Sequence, residues 1–247
     1  MFDITGKVAL VTGGSRGMGR AMAFGFARAG ADVIVASRKL DACENVASEI
    51  AAETGRRALG VACHVGHWEE IDALVDVAYR SFGTIDVLVN NAGMSPIYSD
   101  VQDVSEELYD KVLAVNLKGP FRLSAVVGSR MRDSGGGSII NVSSYSAEHP
   151  DKDAIPYSAA KAGINAMTVA FAHALGPTVR VNCIQPGAFL TDVSKAWDPG
   201  WLEREVRTYA LGRAGEPDEV VGTALYLASS ASSFTTGAVI RVDGGNP

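Results

Sequence analysis

The sequence predicts an α/β protein built on one doubly wound sheet of about seven parallel strands, with helices on both faces. Three observations carry this. Short apolar, β-branched runs alternate with amphipathic helical stretches from end to end, the pattern of repeated strand–helix–strand crossovers. The apolar runs do not alternate with polar residues, as expected of strands covered on both faces. Small or polar residues close these runs at Gly13-Gly14, Asn90-Asn91-Ala92-Gly93, Ser143-Ser144 and Pro186-Gly187, and ligands of open α/β sheets bind at the carboxyl ends of strands.

Taken in order, Lys7 to Thr12 reads as the first strand, and it meets Gly13-Gly14-Ser15-Arg16-Gly17-Met18-Gly19. A helix from about Arg20 to Ala29 follows, closed by Gly30. Strand, glycine turn and helix form the context of a phosphate-binding turn, in which backbone N–H groups and the helix N-terminus face an anion. The spacing of Gly13, Gly17 and Gly19 is Gly-x-x-x-Gly-x-Gly. Asp32 to Ser37 is the second strand and ends in Ser37-Arg38. An acidic residue there would hydrogen-bond the adenosine ribose and repel a 2′-phosphate, whereas Arg38, with Arg16 nearby, can pair with one. The expected cofactor is therefore NADP(H), with NAD(H) possible.

A helix of about 40–54, a strand of 57–63 and a helix of about 68–82 lead to the fourth strand, Ile85 to Val89. A long helix of about 105–132 carries Asn116 in mid-run, where a buried amide must find partners. Ser138 to Val142 is the fifth strand. A helix of about 156–175 follows and is stopped by Gly176-Pro177. The sixth strand is 178–184. Residues 188–214 are irregular to helical and have the length of a substrate-binding loop. A short helix of 217–228 and a strand of 237–242 close the chain. No linker or repeat divides it, so residues 1–247 are expected to form one domain.

The 247 residues are 47% hydrophobic and 20% charged, a globular composition. Lys and Arg number 22 against 28 Asp and Glu, a net charge of −6 without a basic run, so nucleic acid is not an expected partner. No apolar run reaches the roughly 18 residues of a membrane span, and the N-terminus shows no signal-peptide pattern. Cys43, Cys63 and Cys183 cannot all pair, and no Cys/His cluster has zinc spacing. The expectation is a cytoplasmic protein that binds no metal.

The chemistry centres on Tyr157-Ser158-Ala159-Ala160-Lys161. Residues four apart share a helix face. A phenol ionises near pH 10, roughly, and a neighbouring ammonium favours its phenolate, so such a pair is a tunable proton donor and acceptor.

Together these motifs resemble the short-chain dehydrogenase/reductase family, over essentially the whole chain. Thr12-Gly13 with Gly17 and Gly19, Asn90-Asn91-Ala92-Gly93, Asn116, Ser144, Tyr157 with Lys161, Pro186-Gly187 and Val242-Asp243-Gly244-Gly245 fall in family order. The resemblance implies a Rossmann-type sheet and an oxidoreductase that moves hydride between nicotinamide and a carbonyl or secondary alcohol. It implies Tyr157 as general acid/base, Lys161 lowering the phenol's pKa and binding the nicotinamide ribose, Ser144 (rather than Ser143) orienting the carbonyl, and Asn116 holding a proton-relay water. It implies a cofactor bed of Gly13, Ser15, Arg16, Gly17, Met18, Gly19, Ser37, Arg38, His64, Val65, Asn91, Ala92, Gly93, Tyr157, Lys161, Pro186, Gly187 and Thr191. One departure stands out: His64-Val65 occupies the place where the family usually has Asp-Val. The motif style is closest to 3-oxoacyl-carrier-protein reductases and to sugar or polyol dehydrogenases. An acyl carrier protein would want a basic patch, for which Arg130, Arg132, Arg204 and Arg207 are candidates. The family also implies a homo-oligomer, a tetramer or dimer. The alternatives are an NAD-dependent alcohol or polyol dehydrogenase, or a non-catalytic nucleotide-sensing or assembly protein on the same fold.

Overall fold

A computed structural model describes residues 2–192, Ser194 and residues 199–247, with the side chains of Pro199 and Trp201 left aside. Seven strands form one parallel sheet: β1 (Val8–Thr12), β2 (Asp32–Ser37), β3 (Ala58–Ala62), β4 (Val87–Asn90), β5 (Gly137–Val142), β6 (Val179–Pro186) and β7 (Val239–Val242). Their order is β3-β2-β1-β4-β5-β6-β7. The winding therefore reverses between β1 and β4, and the crevice at that reversal is where an open α/β sheet receives a ligand.

The helices are α1 (Gly17–Arg28), α2 (Leu40–Thr54), α3 (Trp68–Phe82), α4 (Glu106–Leu113), α5 (Gly119–Asp133), α6 (Ile155–Leu175), α7 (Pro199–Val206) and α8 (Val221–Ala228). Side chains of a strand point alternately to its two faces, and each face has its own core. Ala9, Val11, Val33 and Val35 pack with Met22 and Phe26 of α1, Ile50 of α2 and Leu227 of α8. Val8, Leu10, Ile34 and Leu88 pack with Leu74 of α3, Leu123 and Met131 of α5 and Leu175 of α6. Burying one large aliphatic side chain contributes roughly 1.5–3 kcal/mol, so the two cores lock the sheet on which the loops stand.

Two differences from the sequence expectation bear on the site. β6 runs to Pro186, two residues further than expected, because β7 pairs with it as far as Pro186 opposite Val242. The single long helix is interrupted by a π-helical turn at Ala114–Lys118. Gly119, just beyond, sits so close to the Val65 carbonyl that no side chain fits, and the wider turn directs Asn116 inward. The four arginines weighed as a basic patch are ion-paired or otherwise engaged, as solvated helix faces allow. Arg130 pairs with Asp76, Arg132 with Asp133 and Arg207 with Glu203, and Arg204 also has a partner.

Candidate active site

The glycine turn is shaped by two requirements. Gly13 (φ 65) and Gly17 (φ 54) take left-handed backbone, which an L side chain resists. Gly13, Gly19 and the segment after β4 also press together: a Cβ on Gly19 would lie 2.5 Å from Asn91 Nδ2, and one on Gly13 would lie 2.9 Å from Ala92 Cα. Thr12 is the organiser. Its hydroxyl donates to the Val89 carbonyl at 3.1 Å and accepts from Asn91 N at 3.1 Å and Ala92 N at 3.2 Å, while Asn91 Nδ2 donates to Thr12 O at 2.9 Å. The turn thus delivers the start of α1 to the crevice between β1 and β4.

That helix start suits an anion. Arg16 occupies the N-cap position, no side chain caps the helix, and its first turn holds no acid, so its leading N–H groups keep their partial positive charge. Arg16 and Arg38 are exposed, and among the described residues neither is engaged by a protein carboxylate. Ser37 turns its hydroxyl toward Cys43 Sγ, 3.0 Å away. These features fit a dinucleotide bearing phosphates. Ser15 and Met18 complete the turn, half-buried, and Thr191 reaches over Gly17, its Cβ 3.4 Å from where a Gly17 side chain would begin.

At the end of β3, Val65 is buried in the core beside α3 and α5. His64 Nδ1 accepts from Gly66 N at 3.1 Å, its backbone N donates to Glu70 Oε2 at 2.7 Å, and its ring stacks on His67 at 4.4 Å. Burial, then the His67 ring, holds its pKa below the usual histidine value. The neutral ring, accepting at Nδ1, carries its proton on Nε2, so this position offers a donor where the family's aspartate would accept.

The proposed reacting groups gather at the carboxyl end of β5. Ser143 is buried and donates its hydroxyl to Lys161 O at 3.1 Å. Ser144 is half-buried, and its hydroxyl accepts from Ser146 N at 3.1 Å. Lys161, buried on α6, donates Nζ to Val142 O at 2.8 Å and lies 5.6 Å from the centre of the Tyr157 ring. Burial pulls the Lys161 pKa down from 10.5 to about 8. Burial also raises the Tyr157 phenol above its usual value, with Ser144 opposing the shift. Desolvation disfavours the phenolate, and Ser144 is the partner that opposes it.

Asn116 lies behind Lys161. Its Nδ2 donates to Met94 O at 2.8 Å and Val112 O at 2.9 Å, and its Oδ1 accepts from Met94 N at 3.2 Å. A Cβ on Gly93 would sit 3.0 Å from Asn116 Oδ1 and 3.7 Å from Lys161 Nζ, so Gly93 is the spacer between them. Pro186 ends β6, and Gly187 N donates to Val242 O at 3.1 Å. In the 188–214 region, Ala188, Tyr209 and Ala214 form a small core of their own with Leu202 and Val206. Trp197, within the loop expected to bind substrate, lies outside the described residues.

Two features escape sequence reading. A buried polar chain runs from Ser124 through Asn90 and Asn141 to Thr168, with links of 3.0, 2.9 and 2.9 Å. Tyr98 clasps the segment before α6. Neither belongs to a local pattern, because each joins residues distant along the chain.

A family model described as Enoyl-(Acyl carrier protein) reductase matches residues 13–246. This chain belongs to the short-chain dehydrogenase/reductase family. It is 36% identical over 250 residues to Dehydrogenase/reductase SDR family member 4 of Homo sapiens, covering 99% of this chain and 88% of that protein. It is 35% identical over 246 residues to the D-threitol dehydrogenase of Mycolicibacterium smegmatis, covering 99% and 94%. The crystal structure of an NADPH-dependent 3-quinuclidinone reductase from Rhodotorula rubra superposes with a TM-score of 0.95 at 32% identity, covering 100% of this chain and 93% of that one. The chain is thus a Rossmann-like, nicotinamide-dependent oxidoreductase acting on CH–OH/C=O groups of a small molecule. No helix among the described residues is long and apolar enough to cross a membrane.

Proposed function

We propose that this short-chain dehydrogenase/reductase is an NADP(H)-dependent carbonyl reductase with Tyr157 as general acid, the same site serving alcohol oxidation in reverse. The observation that carries the reading is the gathering of three groups: Ser144 just past the end of β5, and Tyr157 with the buried Lys161 one turn apart on α6, Lys161 Nζ lying 5.6 Å from the Tyr157 ring centre. As hydride reaches a carbonyl carbon, its oxygen gains negative charge. Two hydroxyl donors aimed at that oxygen stabilise it where it develops, and the phenol then gives up its proton. Lys161 Nζ and Asn116, separated by Gly93, are the groups through which that proton would be replaced, by way of water. When bound, nicotinamide supplies or accepts the hydride. The chain's part is to seat it with Asn91, Ala92, Gly93, Pro186, Gly187 and Thr191, and to hold Ser144 and Tyr157 over one face.

Preference for NADP(H) rests on Arg38 and Arg16, exposed beside the glycine turn where an NAD-selective site would carry an acid after β2. The NADPH-dependent reductase of the same fold supports it. The D-threitol dehydrogenase relative favours a second reading, polyol oxidation, for which the cofactor would be NAD. Fluorescence titration with NADPH and NADH separates them. NADPH binding at least tenfold tighter, about 1.4 kcal/mol, supports the first, and tighter NADH binding the second. Tyr157→Phe should abolish turnover and leave NADPH binding intact, and equal turnover would sink the catalytic assignment.

The substrate walls in this reading are residues 94–97, 145–155 and 188–209, all within one domain spanning 1–247. A groove of about 1160 Å³ beside α4, α5 and α6, next to the exposed Trp68 and Phe121 and the half-buried Phe171 that Phe121 touches, is the face on which a homo-oligomer would form. A cytoplasmic location agrees with three buried, free cysteines.

A further inference from the structure

The helix that carries Tyr157 and Lys161 is capped from outside its own segment. A helix begins with N–H groups that have no partner within it, and a Ser, Thr, Asp or Asn at the N-cap usually meets that need. α6 has Ala154 at this position, with φ −145°, ψ 40° and no side-chain cap. Pro156, second in the helix, has no N–H to offer. The nearby acids are committed elsewhere: Asp151 Oδ1 accepts from Asp153 N at 2.9 Å, and Asp153 holds Lys152 Nζ at 2.9 Å. The first helical amide, Ile155 N, donates instead to the Tyr98 hydroxyl at 2.9 Å, and that hydroxyl donates onward to Lys152 O at 3.0 Å. The phenol is used fully, as acceptor and donor.

Tyr98 is 57 residues earlier in the chain than Ile155. It belongs to the segment after β4 that Asn116 grips through both backbone atoms of Met94 and that carries the exposed Ile97. Ile155, also exposed, is two residues before Tyr157. One hydroxyl therefore closes the first turn of α6 and fastens it to the segment on the other side of the opening.

We propose that Tyr98 is a positioning residue, setting where the N-terminal turn of α6 stands and with it the Tyr157 hydroxyl. The inference rests on the reading of Tyr157 as proton donor. The segment after β4 cannot move away from α6 without uncapping the helix, so movement there and the placement of the proton donor are coupled.

The test is Tyr98→Phe, which keeps the ring and removes both hydrogen bonds. The amides of Ile155 and of residues 157–160 should exchange with deuterium at least about tenfold faster, with β5 and β6 unchanged. NADPH affinity should stay within about twofold of wild type. With a ketone that the wild type reduces, kcat should fall by about tenfold and KM should stay within about twofold, since the interaction concerns the proton donor and not substrate contact. Adding Ala154→Ser supplies a local cap for the Tyr157 amide but not the tether to the segment after β4, so exchange at 157 should slow while kcat stays low. Wild-type exchange or wild-type kcat in Tyr98→Phe would overturn the proposal, as would an Ala154→Ser double variant that regains wild-type kcat without the tether. Tyr157→Phe distinguishes the two levels. If it retains turnover, the proton-donor reading fails whatever the exchange data say. If it loses turnover while Tyr98→Phe behaves as wild type, only the role of Tyr98 fails.

Discussion

The two halves of the site are held by opposite means. On the β1–β4 side, backbone lies against backbone: Gly13 and Gly19 leave no room for a Cβ beside Asn91 and Ala92, and the one buried hydroxyl of Thr12 ties the layers. On the β5–β6 side, polar side chains reach across long stretches of chain: Ser143 to Lys161 O, Lys161 to Val142 O, and Tyr98 to the α6 cap. The first half should be intolerant of added atoms. The second should be intolerant of lost hydrogen bonds, and it also contains groups that cost stability because they are buried for chemistry.

The largest contrast is expected at Tyr157. Tyr157→Phe should lower turnover by about 10³-fold, within the usual range for a general acid, and leave NADPH titration unchanged. Comparable losses of binding and turnover would mean that the two halves are not separable.

Lys161→Met comes next. It should abolish turnover yet raise stability at neutral pH, since an ammonium with pKa about 8 instead of 10.5 costs on the order of 3 kcal/mol to bury charged. The folded-state value is the lower one, so unfolding takes up a proton between about pH 8 and 10.5. Stability of the wild type should therefore rise across that window, and the rise should vanish in Lys161→Met. Thermal melts against pH would record both effects. A destabilised Lys161→Met at pH 7 would mean that the bond to Val142 O outweighs the cost of burial.

Gly19→Ala probes the other half. A methyl 2.5 Å from Asn91 Nδ2 should destabilise the fold by about 1–3 kcal/mol and weaken NADPH and NADH equally, because it displaces the turn and not a cofactor-selective group. Wild-type binding and melting would show that the turn yields where the geometry says it cannot. The smallest expected effect is at Arg38→Ala: NADPH affinity down about tenfold, or 1.4 kcal/mol, NADH within about twofold, and the difference shrinking as salt rises. An equal loss for both cofactors would make Arg38 a general contact instead of a 2′-phosphate reader.

The two halves also differ in how far they could be read beforehand. The cofactor half was written locally: the glycine turn, Ser37-Arg38 and Asn90-Asn91-Ala92-Gly93 are contiguous stretches at strand ends, and each stands at the end of the strand expected for it. Helices α2 and α3 fall at 40–54 and 68–82 as their apolar periodicity predicts. The catalytic half was legible as a set of residue types and not as a geometry. The order Asn116, Ser144, Tyr157, Lys161 is visible, but the π turn that aims Asn116 is set by Gly119 packing on Val65. The bond that distinguishes Ser143 from Ser144 depends on α6 lying against β5.

By itself, the sequence determined the class of sheet, the family and the placement of chemical groups at strand ends, because strand and helix periodicity and turn chemistry act over a few residues. The tertiary structure decided which groups are desolvated and which hydroxyl closes which turn. It alone shows a Tyr157 phenol pushed up by burial, a Lys161 ammonium pulled down to about 8 and a helix capped by Tyr98. Burial and long-range hydrogen bonds depend on packing between distant segments, and no local pattern encodes them.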